Sequence, residues 1–137
     1  MKSELIEKIS LYFDRRSEVM TVYLFGSYAK GRQEMDSDID LAILLNRDDR
    51  PRQNELRRQY IVDLSHILRK DVHIVMISSI DEGILAQIFK YGECIINHNP
   101  HLLARFKMIA YAMIADFGYQ KSLMKKGFIR KLSREKP

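Results

Sequence analysis

The segment Ile39 to Leu45, IDLAILL, constrains the fold more than any other part of the chain. Past Asp40 every position is apolar. Side chains of a strand alternate between the two faces of a sheet, so a strand apolar at successive positions must be covered on both sides. That requirement excludes a two-stranded ribbon with one wet face and demands helices above and below a sheet. Val19 to Phe25, VMTVYLF, is a second such strand, rich in β-branched and aromatic residues and stopped by Gly26. Val72 to Ile77, VHIVMI, is a third, and Cys94 to Ile96 adds a short edge strand.

The covering helices follow from apolar spacing. Ser3 is placed to cap a first helix that carries Leu5, Ile6, Ile9, Tyr12 and Phe13. Pro51 lies near the start of a long amphipathic helix with Leu56, Tyr60, Leu64, Ile67 and Leu68. Ser79 and Glu82 have capping-box spacing ahead of Ile84, Leu85, Ile88 and Phe89, and Gly92 suits the position just past that helix. Asn99-Pro100 begins a final helix expected to run to about residue 126. The expected fold class is α/β (α+β): a small mixed sheet of three to four strands flanked by helices, with a long C-terminal helix.

A chain of 137 residues with 46% hydrophobic and 30% charged residues suits one domain, and no repeat or flexible linker divides it. No apolar run approaches the roughly 18 residues of a membrane span. MKSELIEKIS has no apolar block ahead of a cleavage site, and the single Cys94 allows neither an internal disulfide nor a cysteine-based zinc cage. A cytoplasmic location and no membrane association are expected. The net charge of +5 is concentrated at one end: residues 121–137 hold seven Lys and Arg against Glu135 alone, and the other 120 residues hold 16 basic and 17 acidic side chains. Basicity confined to a tail gives no diffuse nucleic-acid surface, so no direct nucleic-acid binding is expected. The tail reads as a solvated helix end or as a contact for an acidic partner surface.

Chemistry concentrates in residues 26–45, GSYAKGRQEMDSDIDLAILL. Gly26 lets the backbone turn sharply and approach a ligand closely, and amide groups of a helical turn over 27–30 would face an anion such as a triphosphate. Ser27 adds a hydroxyl donor. Asp38 and Asp40, two apart on a strand, project from one face and can share a hard, oxygen-loving cation. Their mutual repulsion is relieved by a divalent ion that also bridges to phosphate oxygens. Lys30 and Arg32 either reach the β- and γ-phosphates or are exposed loop cations, whereas Glu34 and Asp36 read as solvated. By alternation His73 shares a face with Asp71, where it either contacts a ligand or is a satisfied buried histidine. His66, His98 and His101 have no metal-ligand spacing, and Cys94 reads as a small buried hydrophobe.

The pattern GS-x10-D-x-D, in a strand-turn-strand setting, resembles the signature of the DNA polymerase β-type nucleotidyltransferase superfamily. Short length, GSYAKG and DSDIDLAILL resemble its minimal nucleotidyltransferase (MNT) members over roughly residues 1–97. The resemblance implies a third carboxylate on a neighbouring strand, and Asp71 fits that place better than Asp63, which lies within the amphipathic helix. It implies two Mg2+ ions held by Asp38, Asp40 and Asp71, ATP as substrate, attack on the α-phosphorus and pyrophosphate as leaving group. Asp71 or its metal would then help remove the acceptor's proton.

The final helix carries two apolar stripes. Leu102, Leu103, Phe106, Ile109, Ala110, Met113, Ile114 and Phe117 form one, and Ala104, Met108, Tyr111, Ala112, Ala115 and Tyr119 form another, nearly opposite. A helix lying on its own domain needs only one, so the second calls for another protein surface. The expected organisation is therefore a nucleotidyltransferase domain over 1–97, a partner-binding helix over 98–126 and a basic tail over 127–137. Similarity to the antitoxins of MNT and HEPN pairs implies transfer of AMP from ATP to a tyrosine of a HEPN-domain RNase toxin. The rival expectations are a small-molecule nucleotidyltransferase of the aminoglycoside-modifying kind, and a non-catalytic antitoxin that acts by occlusion.

Overall fold

Both faces of the central strand are covered, as its sequence requires. The computed structural model describes residues 2–26, 38–79 and 82–116, and in them four strands form one mixed sheet. In chain order the elements are α1 (Lys2–Asp14), β1 (Val19–Phe25), β2 (Ile39–Leu45), a 3-10 segment (Arg47–Arg52), α2 (Gln53–Leu68), β3 (Val72–Met76), a 3-10 turn (Ile77–Ser79), α3 (Glu82–Tyr91), β4 (Glu93–Asn97) and α4, described over 100–116. The strand order is β3-β2-β1-β4, with β1 antiparallel to β2 and β4, and β2 parallel to β3. The parallel pair requires a crossover, which α2 provides.

Alternation along the strands divides the core into two layers. Val22, Leu24, Ile39, Leu41, Ile43, Leu45, Val72, Ile74 and Met76 face Leu5, Ile9 and Phe13 of α1 and Leu56, Tyr60 and Leu64 of α2. Met20, Tyr23, Ala42 and Leu44 face Leu85, Ile88 and Phe89 of α3 and Leu103 and Ala110 of α4. Edge-to-face rings of Tyr12, Phe13 and Tyr60 lock α1 onto α2. Around this seam the Tyr12 hydroxyl donates to Asp63 at 2.5 Å and the Tyr60 hydroxyl donates to Glu18 at 2.7 Å. Burial and these carboxylate acceptors hold both phenols protonated, well above their ordinary pKa.

Several local expectations are corrected. Helix α1 already includes Ser3, so Ser3 does not cap it. Strand β3 ends at Met76, and Ile77 begins a 3-10 turn while remaining buried. On α2, Leu56, Tyr60 and Leu64 are buried and Leu68 packs partly buried against the same layer, but Ile67 is exposed one turn before the left-handed Arg69 (φ 53°). Cys94 is exposed on the edge strand rather than buried, its sulfur lying 3.4 Å from the Thr21 hydroxyl. Asn99 caps α4: its Oδ1 accepts from the Leu102 amide at 3.2 Å, with Pro100 in the first helical position. The side chains of Ser79 and Glu82 lie outside the described residues, as do Phe117, Tyr119 and the basic tail.

Candidate active site

Strands β1 and β2 bring the site residues together where their ladder begins. Phe25 pairs with Asp40 in the antiparallel register, so Gly26 leaves β1 beside the start of β2. Gly26 takes φ +72°, a conformation open to glycine. A Cβ placed there would overlap the Asp40 carboxylate, and the absence of a side chain at 26 is what makes room for it. The acidic start of β2 is thus sterically matched to the glycine that ends β1.

The parallel register of β2 and β3 supplies the opposite wall. Ile39 pairs with Val72 and Asp40 with His73. Ile39, Leu41, Val72 and Ile74 point into the layer under α1 and α2, so Asp38, Asp40 and His73 point to the other face. There His73 Nε2 lies 3.0 Å from Asp38 Oδ2. Both groups are exposed, whereas Asp40 is half-buried. Partial burial pushes the Asp40 carboxyl above its ordinary range; His73 pulls it back down and the charge of Asp38 raises it again. A carboxylate held in this way gains from any cation delivered to that face.

Of the residues singled out from sequence, Gly26, Asp38 and Asp40 are brought together. Asp71 sits just before β3 and is exposed; its backbone carbonyl accepts from the Ile39 amide at 2.9 Å. Ser27, Lys30 and Arg32 lie outside the described residues, as do Glu34 and Asp36. Asp63 belongs to the α1–α2 seam on the far side of the sheet, bonded to Tyr12 and 3.7 Å from Arg16. His73 is not the buried histidine expected. Its place beside Asp38 follows from the strand register, which the alternation of a single strand does not reveal. His98 serves the fold, its Nδ1 lying 2.9 Å from the Val19 carbonyl.

The donor chemistry fits a divalent cation that arrives with its phosphate ligands. Among the described residues no three His, Cys, Asp or Glu side chains gather closely enough to hold a metal ion by themselves. Mg2+ commonly uses one or two carboxylates together with substrate phosphates and water, and the Asp38–Asp40 pair meets that need.

A mixed sheet whose glycine bend adjoins Asp40 in β2, with Asp38 just ahead of that strand, fits a nucleotidyltransferase of the polymerase β type. Residues 7–101 match the family Polymerase beta, Nucleotidyltransferase, and the chain belongs to it. Among particular proteins it is similar to the protein adenylyltransferase MntA of Shewanella oneidensis, with 32% identity over 85 residues, which is 62% of this chain and 59% of that protein. The chain thus aligns with less than two thirds of the length of this curated relative. A crystal structure of a toxin-antitoxin with AMP-PNP shares the fold, with a TM-score of 0.66 and 21% identity over 93% of this chain and 98% of that one. A structure of the tri-AMPylated S. oneidensis HEPN toxin in complex with MNT antitoxin matches with a TM-score of 0.62 and 20% identity over 97% and 99%.

Proposed function

We propose that this protein is an antitoxin that transfers AMP from ATP to a tyrosine hydroxyl of a HEPN-domain RNase toxin, neutralising the toxin and releasing pyrophosphate. The observation that carries the reading is the packing of the Asp40 carboxylate against Gly26, with Asp38 on the same face, in a chain of the nucleotidyltransferase family. Its relatives support the rest: one is named a protein adenylyltransferase, and solved structures of the same fold include an AMPylated HEPN toxin in complex with MNT antitoxin and a toxin-antitoxin with AMP-PNP.

Asp38 and Asp40 would hold Mg2+, two ions in the full site, which when bound neutralises the triphosphate and polarises the α-phosphorus. The chain's own groups do the positioning. Gly26 brings backbone close to the phosphates, and Ser27, Lys30 and Arg32 are proposed to hold the triphosphate tail. Asp71, exposed beside the site, is proposed to take the proton of the acceptor hydroxyl. The phenolic oxygen then forms a bond to the α-phosphorus while the bond to the bridging oxygen breaks, and pyrophosphate departs with that oxygen. Orientation and charge neutralisation carry most of the acceleration in such transfers.

The partner surface is proposed on α4. Among its described residues only Leu103 and Ala110 are buried, while Leu102, Met108, Ile109, Tyr111 and Met113 are exposed. Even the stripe expected to face the domain is half uncovered, which favours a protein partner over a purely small-molecule acceptor. Among the described residues no helix is long and apolar enough to cross a membrane. Incubation with Mg2+, ATP labelled on the α-phosphate and a HEPN partner tests the proposal. Label on a partner tyrosine is the expected result. Label confined to small acceptors supports the aminoglycoside-type alternative, and neutralisation without any label supports occlusion.

A further inference from the structure

Where α4 passes the 3-10 turn Ile77–Ser79 and the first turn of α3, a cavity of about 150 Å3 opens to solvent. Buried Ile77 and Leu85 form its floor with half-buried Phe106, and Ile109 and Met113 stand exposed at its mouth. Among the described residues Arg50 is the only charged side chain on its wall. The Arg50 guanidinium lies 5.9 Å from the centre of the Phe106 ring, and its Nε donates to the Leu45 carbonyl at 3.4 Å. These contacts hold a cation beside apolar surface instead of extending it into water. Pockets that enclose drug-sized molecules run to about 300–1,000 Å3, so this one is sized for a single protein side chain.

Charge separates the candidate occupants. From 100 to 115, α4 carries His101, Arg105 and Lys107 and no acidic residue. At about 100° per residue, Arg105 and Lys107 flank the stripe of Phe106, Ile109 and Met113 on its two sides. A second copy docking through its own α4 would bring the same cations, and residues 121–137 of this chain hold seven Lys and Arg against one Glu. Both occupants meet like charge at Arg50, Arg105 and Lys107. An extended segment gains little, because α4 offers side chains and no free backbone edge, whereas a helix satisfies its own backbone and presents side chains alone. We propose that the cavity receives one bulky apolar side chain from an acidic amphipathic helix of the protein partner, and that carboxylates flanking this anchor pair with Arg50 and Arg105. The proposal rests on the reading of α4 as the partner surface and assigns the anchor point and the chemistry of what fills it. A single side chain enclosed in an apolar hole, with a charge pair beside it, is the arrangement in which a few residues carry most of the binding energy.

Photo-cross-linking of the full chain to the HEPN partner tests this without reference to turnover. A benzophenone side chain replaces Met113, or Val62 on the exposed face of α2 as the control, and the joined peptides are sequenced by mass spectrometry. The expected result is a cross-link from position 113, and none from 62, to an apolar partner segment that carries Asp or Glu within one helical turn. Arg50→Glu should weaken the complex at least about tenfold, and Arg50→Lys, which keeps the charge, should stay within about threefold of the native chain. A cross-link from 113 to a partner segment without acidic residues, to a second copy of this chain or to its own residues 117–137 overturns the proposal. So does the absence of any cross-link from 113 in a complex that forms, or native binding by Arg50→Glu. Transfer of labelled AMP to the partner without the cross-link strikes this inference and leaves the proposed function standing. The cross-link without transfer supports the inference and strikes the proposed function, and failure of the complex to form overturns both.

Discussion

Gly26 and Asp40 are shaped for one another. An alanine at 26 would meet two penalties: φ +72° costs an L-residue roughly 1–2 kcal/mol, and its Cβ would occupy the space of the Asp40 carboxylate. The carboxylate can rotate away, so the fold survives and the site does not. Gly26→Ala is therefore expected to lower stability by about 1–2 kcal/mol in denaturant unfolding and to reduce transfer far more than that loss implies. Asp40 adds a pH dependence. Its native pKa is raised, so the folded chain binds this proton more tightly than the unfolded chain, and ionisation of Asp40 opposes folding. The opposition is absent at pH values below the unfolded pKa and grows as pH rises through the folded one. Asp40→Asn should raise Tm at pH 7 and give no comparable gain in acid below the ordinary carboxylate pKa, as thermal melts across that range would show. The same variant should lose transfer.

At the scale of elements, the strands were legible because their residues are apolar on both faces and bounded by breakers. β1 and β2 run over the residues their composition predicts, Val19–Phe25 and Ile39–Leu45. Pairing was not legible. Single-strand alternation places Asp71 and His73 on one face, but only the β2–β3 register brings His73 opposite Asp40. Helix ends and exposed flanks, such as Ile67 and Cys94, escaped for a related reason: periodicity marks a face without marking where the neighbouring element stops. The α1–α2 seam gives this scale its prediction. The Tyr12 hydroxyl donates to Asp63 across the seam, and Asp63 also receives Gln59 and Arg16. Tyr12→Phe keeps the ring contacts with Phe13 and Tyr60 and removes one charge-assisted hydrogen bond. Unfolding in urea should show a loss of about 1–2 kcal/mol, with transfer unchanged because the seam lies across the sheet from the site.

At the scale of the molecule, α1 and α2 close one layer of the sheet and α3 and α4 the other, and among the described residues α4 keeps much of its own apolar surface exposed. Ile109 is 59% exposed and Met113 52% exposed, leaving an apolar surface on one stripe of α4, and Met108, 74% exposed, lies on the other stripe. Ile109→Asp combined with Met113→Asp should leave the isolated protein folded, since neither side chain is buried, and should weaken binding to the HEPN partner by at least about 2 kcal/mol in calorimetry. Self-contained catalysis on a small acceptor would be unaffected by that double change.

The central claim is that the aspartates beside the glycine bend perform the transfer. Its most direct measurement is the rate at which labelled AMP appears on the partner in a single turnover, comparing the native chain with the Asp38→Ala, Asp40→Ala double variant. The account predicts a fall of at least about a thousandfold, with unchanged circular dichroism and retained partner binding. A double variant that modifies its partner at the native rate would contradict it.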